Sequence, residues 1–113
     1  MANHKTYAVI GLGAFGSAAA LELYRGGAEV LAIDSEQEVV DRHRNEVTQA
    51  VCGDAIDEEV LKSAGILDAD VVIVALRNHF ETTVLITDML RRREVGAIYV
   101  QVNSDREASA VLA

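Results

Sequence analysis

The run Gly11-Leu12-Gly13-Ala14-Phe15-Gly16 joins two segments of different character. The apolar stretch Tyr7-Ala8-Val9-Ile10 precedes it and is typical of a strand that is buried on both faces. Residues 13–25 have small or apolar side chains almost throughout, which predicts a helix that ends at Gly26-Gly27. The N-terminal part of the chain is therefore predicted to be a strand, a tight glycine turn and a helix.

The rest of the chain continues this alternation of strands and helices. Further buried strands are predicted at residues 29–33, 48–52, 71–76 and 98–102, and helices at about 36–45, 57–64 and 80–94. This spacing predicts right-handed βαβ crossovers and a Rossmann-like α/β fold, a doubly wound parallel sheet with the strand order 3-2-1-4-5. Residues 1–113 would form one domain, with a sixth strand absent or truncated at the C-terminal end.

Two helix starts carry a recognisable capping pattern. Ser35 is followed three residues later by Glu38, and Ser104 is followed in the same way by Glu107. A serine that caps a helix, with a glutamate at the third helical position, satisfies backbone N–H groups in both directions. Each pair is therefore predicted to form a capping box.

The glycines of the loop match the three positions of the dinucleotide-binding fingerprint. The first permits the sharp turn, the second leaves room for a pyrophosphate, and the third lets helix and strand pack closely. Asp34 lies 18 residues after Gly16, at the end of the second strand, where an acidic residue accepts hydrogen bonds from ribose hydroxyls. Its charge would repel a 2′-phosphate, which favours NAD or an adenine nucleotide over NADP. The alternative is that Asp34 only caps the next helix.

Residues after later strands are candidates for the same site. Asp54 follows the third strand near the expected adenine, and it is equally compatible with an ordinary turn residue. Asn78 follows the fourth strand and could contact phosphates or ribose, although Asn is also common in loops. Val74, Ala75 and Leu76 would line the crevice where the strand order reverses, unless they only pack in the core. The expected ligand-binding residues are Gly11, Leu12, Gly13, Ala14, Phe15, Gly16, Asp34, Ser35, Asp54, Ala55, Ala75 and Asn78.

Composition argues against several functional classes. The 18 acidic and 10 basic residues give a net charge of -8, which disfavours binding to duplex nucleic acid. The cluster Arg91-Arg92-Arg93 falls in the last turn of a predicted helix, where it complements the helix dipole. No apolar run approaches the roughly 18 to 20 residues that span a bilayer, and the N-terminus has no signal-peptide pattern. We therefore expect a cytoplasmic protein without direct membrane insertion.

Residues that commonly carry catalysis or metal binding are few. Cys52 has no partner for a disulfide or a metal site and is expected to be a small buried strand residue. His4, His43 and His79 are expected at the surface, without a carboxylate partner. Hydride transfer needs a substrate pocket and an acid or base, which dehydrogenases usually take from a second domain. The chain is therefore predicted not to be an enzyme. A fragment of an NAD-dependent dehydrogenase is the main alternative, and a redox-sensing repressor is disfavoured because no DNA-binding helix is evident.

The order of these motifs resembles the N-terminal regulatory domain of Trk/Ktr potassium-uptake proteins, also called the KTN, TrkA-N or RCK N-terminal domain. The resemblance implies a peripheral cytoplasmic subunit that binds NAD(H), ATP, ADP or AMP. It also implies assembly as homodimers and rings, and gating of a membrane potassium channel or transporter at the inner face of the cell membrane. The segments that carry it are residues 7–16, 30–34, 52–55 and 71–75, with Asn78 and Glu81.

The resemblance also implies roles for individual residues. The glycine loop would surround the phosphates, Asp34 would bind the ribose, and Asp54 with Ala55 would border the adenine. The helix after Asn78 would contribute to the dimer face. ATP-gated relatives tend to have an arginine in the glycine loop where this chain has Ala14, and that arginine helps to recognise the terminal phosphate. NAD or a shorter adenine nucleotide is therefore a better expected ligand than ATP.

Overall fold

The computed structural model describes residues 5–112 as alternating strands and helices. The strands are β1 (Thr6–Ile10), β2 (Glu29–Asp34), β3 (Gln49–Cys52), β4 (Val71–Val74) and β5 (Ala97–Val100). The helices are α1 (Ala14–Arg25), α2 (Gln37–His43), α3 (Glu58–Ser63), α4 (Phe80–Arg92) and α5 (Asp105–Leu112), with 3-10 turns at Arg44–Glu46 and Ile66–Asp68. All strand pairs are parallel and their order is β3-β2-β1-β4-β5, which confirms the predicted doubly wound fold.

The two faces of the sheet carry separate apolar layers because side chains alternate along each strand. On one face Ile10 belongs to a buried cluster with Leu61 of α3 and Ile86 of α4. On the other face Val9 belongs to a cluster with Ala20 of α1. Full burial of a large aliphatic side chain contributes about 1.5–3 kcal/mol. Cover on both faces explains why the central strands are continuous apolar runs.

Both strands on the β4 side of the sheet end earlier than predicted. β4 ends at Val74, although the N–H of Ala75 still donates to the carbonyl of Ile10 at 2.8 Å. The chain leaves the strand at Ala75. The carbonyl oxygen of Ala75 crowds the position where a side chain on Gly11 would lie. β5 ends at Val100, so the polar residue Gln101 lies beyond the sheet at its carboxyl edge.

The predicted Ser35 capping box is wrong. α2 begins at Gln37, its N-cap is Glu36, and no side chain caps it. The carboxylate of Asp34 instead accepts the N–H of Glu36 through Oδ1 at 3.0 Å. The turn after β2 is thus stabilised by Asp34, which leaves Ser35 one position too early to cap the helix.

The second predicted capping box is confirmed in part at α5, because Ser104 accepts the N–H of Glu107 while Glu107 accepts the N–H of Asn103 and not that of Ser104. The N–H of Glu107 donates to Ser104 Oγ at 3.2 Å, and the Glu107 carboxylate accepts the N–H of Asn103 at 3.1 Å. These bonds satisfy backbone donors at the helix start, where no intrahelical acceptor exists. The helix therefore begins where the sequence pattern predicted.

The arginine cluster lies at the end of α4, as predicted, and each of its arginines also has a structural contact. Arg91 donates to the carbonyl of Val111 at 2.9 Å, which ties α4 to α5. Arg92 pairs with Asp88 one turn earlier at 3.2 Å, and Arg93 pairs with Glu58 of α3. Each of the three arginines therefore has a partner within the chain, which accounts for the cluster without a nucleic-acid phosphate.

Two single-residue predictions were wrong. Cys52 is exposed, because β3 is at the edge of the sheet, and its Sγ lies 3.5 Å from the carbonyl oxygen of Ser35. His43 is mostly buried, and its Nδ1 lies 2.8 Å from Oε1 of Glu46 where α2 passes into a 3-10 turn. His79 is exposed as expected, and His4 lies outside the described residues. None of the helices between residues 5 and 112 combines the length and apolarity needed to cross a membrane.

Candidate nucleotide-binding site

The three glycines of the loop have different surroundings. Gly11 has a φ of +100°, which side-chain-bearing residues rarely adopt. A Cβ on Gly16 would overlap the carbonyl oxygen of Gly11 and would lie 3.3 Å from the Cβ of Ala75. Around Gly13, in contrast, no atom lies within 4 Å of a Cβ position. Gly11 and Gly16 therefore allow close packing, while Gly13 leaves open space for a ligand.

The start of α1 faces this open space. Gly13 is the N-cap of α1, no side chain caps the helix, and no acidic residue lies in its first turn. The first N–H groups of a helix have no intrahelical acceptor and carry partial positive charge. Backbone donors at the helix start, left uncovered by any side chain, are suited to binding phosphate oxygens.

Asp34 connects the glycine loop to the end of β2. Its Oδ2 accepts the backbone N–H of Leu12 at 2.8 Å, and its Oδ1 accepts the N–H of Glu36 at 3.0 Å. Each carboxylate oxygen can accept more than one hydrogen bond, so both retain capacity for ribose hydroxyls. Asp34 thus stabilises the turn after β2 without capping α2, whose N-cap is Glu36, and its carboxylate lies beside the glycine loop.

A cavity of about 730 Å³ opens at the carboxyl ends of the strands. This volume lies within the roughly 300–1,000 Å³ that is usual for small-molecule sites. Eight of the twelve predicted ligand residues border it at or after the ends of β1, β2 and β3, and Ala75 borders it after β4. These lining residues are Gly11, Gly13, Ala14, Phe15, Asp34, Ser35, Asp54, Ala55 and Ala75.

Three predicted residues do not line the cavity. The side chain of Leu12 is 2% exposed and packs in the apolar layer under α1. Gly16 lies behind the loop, where it contacts Gly11. Asn78 has a φ of +66° and occupies a turn in which the N–H of His79 donates to the carbonyl of Leu76 at 3.1 Å. Asn78 therefore has the geometry of a turn residue, which was the alternative interpretation.

Asp54 is a turn residue that also borders the cavity. Its Oδ1 accepts the N–H of Ile56 at 3.0 Å, and its carbonyl accepts the N–H of Asp57 at 3.0 Å, so it stabilises the turn before α3. It also lines the cavity together with Ala55. The side chain of Ile56 is 46% exposed on the same border and adds an apolar surface that suits a purine ring.

Several cavity residues were missed by the sequence interpretation. They follow the carboxyl ends of β2, β3, β4 and β5, and the only hint in the sequence is this position after a strand. They include Glu36, Ile56, Arg77, His79, Thr82 and Gln101. Among the described residues, Arg77 is the one lysine or arginine that borders the cavity, while Asp34, Glu36 and Asp54 supply carboxylates. The cavity is acidic on the β2–β3 side and basic beyond β4.

Comparison with known proteins agrees with this geometry. The model of the TrkA-N domain family matches residues 7–112. The Ktr system potassium uptake protein C of Bacillus subtilis (strain 168) is 38% identical over 101 residues, which cover 89% of this chain and 46% of that protein. The chain thus spans about half the length of the curated relatives that it matches.

Two solved structures share the fold and part of the sequence. The NAD(P)-binding domain of an exopolyphosphatase-related protein from Archaeoglobus fulgidus has a TM-score of 0.83 at 27% identity, covering 96% of this chain and 81% of that one. The RCK domain of GsuK has a TM-score of 0.81 at 28% identity, covering 96% of this chain and 23% of that one. The family model, the curated relatives and these structures agree, and the chain belongs to the TrkA-N domain family.

Proposed function

We propose that this domain is a nucleotide-sensing regulatory subunit, or part of one, that controls a membrane potassium channel or transporter. Its ligand would be NAD(H) or an adenine nucleotide such as ADP, AMP or ATP. The observation that carries the proposal is the open phosphate position at Gly13 beside the Asp34 carboxylate, in a chain homologous to Ktr potassium uptake proteins. That homology also favours regulation over the alternative of a dehydrogenase fragment.

The arrangement of the cavity supports one orientation of the ligand. The phosphates would lie over Gly13 and accept hydrogen bonds from the N–H groups at the start of α1. The ribose hydroxyls would donate to Asp34, at the end of the neighbouring strand. The adenine would extend over the turn after β3, bordered by Asp54, Ala55 and the exposed Ile56.

Two features favour some nucleotides over others. The Asp34 carboxylate disfavours a 2′-phosphate, so NAD is favoured over NADP. Ala14 adds no charge to the glycine loop, so the loop itself offers a terminal phosphate only backbone donors. NAD(H) and the shorter adenine nucleotides are therefore our first candidates.

A ligand can shift gating only through its different affinities for two conformations. We infer that nucleotide contacts to the loops after β1, β2 and β3 favour one arrangement of paired domains, in a homodimer or a larger ring. α4 is the proposed dimer face, and the 51% exposure of its Leu85 supports an apolar contact there. The membrane partner would respond to this arrangement at the inner face of the cell membrane, which makes the domain cytoplasmic and peripheral.

Calorimetric titration tests the binding part of this proposal. NADH, NAD, ATP, ADP and AMP are titrated into the wild-type chain, into Asp34→Ala, and into Asp41→Asn as a control. Asp41 is an exposed carboxylate on α2 that does not border the cavity. We expect saturable binding of at least one nucleotide, lost or strongly weakened in Asp34→Ala and unchanged in the control. Absence of binding by all five ligands would refute the proposed function.

A further inference from the structure

Arg77 borders the cavity in the loop after β4, and the preceding residues of that loop pack against Gly11. We propose, on the basis of the function proposed above, that Arg77 determines specificity by binding the phosphate beyond the α-phosphate. This group is the β-phosphate of ADP or the second phosphate of the NAD pyrophosphate. The proposal rests on four observations: the packing of the β4 loop, the shape of its turn, the freedom of the guanidinium, and the distribution of charge around the cavity.

The loop after β4 packs directly on the glycine loop. A Cβ on Gly11 would lie 2.9 Å from Cδ2 of Leu76 and would overlap the carbonyl oxygen of Ala75. The N–H of Ala75 is bonded to Ile10, the residue before Gly11. Arg77 follows Leu76 immediately, so its backbone is adjacent to the site where phosphate is expected.

A tight turn orients Arg77. The N–H of His79 donates to the carbonyl of Leu76 at 3.1 Å, which makes Arg77 and Asn78 the two central residues of a β-turn. Asn78 has a φ of +66°, and a positive φ at this third turn position is tolerated by Asn. The turn therefore holds Arg77 at the cavity border, and Asn78 contributes through backbone shape.

The guanidinium group of Arg77 is available. The side chain is exposed and borders the cavity, and among the described residues it has no ion-pair or hydrogen-bond partner. Other arginines of the chain have such partners, as Arg92 does with Asp88 and Arg44 does with Asp41. A planar guanidinium offers several donors in a geometry that matches phosphate oxygens.

Charge is divided across the cavity in the direction that a nucleotide would follow. The carboxylates of Asp34, Glu36 and Asp54 lie after β2 and β3, on the adenosine side. Arg77 lies after β4, on the opposite side of β1. A phosphate chain that leaves the ribose at Asp34 and crosses Gly13 extends away from the carboxylates and toward Arg77. AMP has no phosphate that reaches this far.

The test compares nucleotides that differ in the number of phosphates. AMP, ADP and NADH are titrated into the wild-type chain, Arg77→Gln, Arg77→Lys and the control Arg92→Gln. Arg92 is an exposed α4 arginine outside the cavity. We expect Arg77→Gln to weaken ADP and NADH by about tenfold, the effect of one charge-assisted hydrogen bond, and to leave AMP unchanged. Arg77→Lys retains part of the affinity, and added NaCl reduces the difference between wild type and Arg77→Gln.

The outcomes separate this inference from the function on which it rests. An equal loss for AMP and ADP, or no loss for either, overturns the role of Arg77 while nucleotide sensing stands. No binding of any nucleotide to the wild-type chain refutes the proposed function and the inference with it. Comparison of ADP with NADH in the wild type identifies which source of second phosphate the site prefers. Thermal unfolding of each variant verifies that the exposed substitution leaves the fold intact. If Arg77→Gln unfolds, the affinities of Arg77→Lys for AMP, ADP and NADH are compared with those of the wild type instead.

Discussion

The backbone N–H of Leu12 donates a 2.8 Å hydrogen bond to Oδ2 of Asp34. The bond joins the second residue of the glycine loop to the last residue of β2, 22 positions later in the chain. Asp34 therefore contributes to the shape of the phosphate loop before any ligand binds. A substitution at Asp34 changes both ligand contacts and stability, and these two effects have to be measured separately.

Asp34→Ala removes the acceptor of two backbone N–H groups, those of Leu12 and Glu36. We expect it to lower the free energy of unfolding by about 1–3 kcal/mol, because a partly buried donor loses its charged acceptor. Asp34→Asn keeps a side-chain oxygen for the N–H of Leu12 and should lose about half as much. Urea denaturation of the three proteins measures the difference. Equal losses in the two variants would show that the Leu12 bond contributes little.

Alanine substitutions at Gly13 and Gly16 should differ in their effect on the free energy of unfolding, which should be small at Gly13 and large at Gly16. Gly13 has φ −71° and ψ −161° with open space around its Cβ position, so Gly13→Ala should change the free energy of unfolding by less than about 1 kcal/mol. It should nevertheless weaken nucleotide binding, since the methyl group occupies the expected phosphate position.

Gly16→Ala forces a methyl group into the carbonyl oxygen of Gly11. We expect a loss of about 2–3 kcal/mol in the free energy of unfolding, typical of overpacking at a rigid contact. Thermal unfolding of the Gly13 and Gly16 variants side by side provides the measurement. A stable Gly16→Ala protein would mean that α1 can move away from β1 at little cost.

Asn78 should be sensitive to backbone conformation and insensitive to side-chain chemistry. At a φ of +66°, Asn78→Gly should retain stability, whereas Asn78→Val should cost about 1–2 kcal/mol because a β-branched residue is strained there. Chemical denaturation distinguishes the two. If Asn78→Gly retained the fold and lost nucleotide affinity, the side chain would contact the ligand directly, as the sequence first suggested.

Neighbouring aliphatic residues on α4 provide a matched pair. Ile86 is fully buried, so Ile86→Ala should cost about 2–5 kcal/mol by leaving a cavity. Leu85 is 51% exposed, so Leu85→Ala should change the free energy of unfolding by less than about 1 kcal/mol. Sedimentation analysis of Leu85→Ala then tests α4 as the dimer face. If the wild-type chain dimerises and Leu85→Ala dimerises to the same extent, Leu85 is excluded from that interface.

Much of the fold could be predicted because the deciding residues act locally. The strands around Val9 and Val72 are continuous apolar runs, and the turn between β1 and α1 requires the positive φ that Gly11 supplies. The position of Asp34 beside the glycine loop was predicted from its spacing in the sequence, and its hydrogen bond to Leu12 shows that proximity. These features depend on backbone geometry and on a short segment of chain, so they are visible without the tertiary structure.

The features that were missed depend on how distant segments meet. Cys52 is exposed because β3 is an edge strand, which its apolar neighbours in sequence do not reveal. Ser35 fails to cap α2 because Asp34 already holds the preceding turn. Arg77 and Gln101 belong to the cavity only because the loops after β4 and β5 converge on the glycine loop. Their sequence contexts are those of ordinary loop residues.

The close contact of Gly16 with Gly11 and Ala75 makes the base of the cavity a preorganised surface. Backbone packed at this distance has little conformational freedom to lose when a ligand arrives, so the entropic penalty of binding is small there. The more exposed border residues Phe15, Ile56 and Arg77 have freedom to lose. Ligand-dependent ordering should therefore concentrate at the border, and side-chain relaxation measurements should detect it there while the amides of the glycine loop remain rigid.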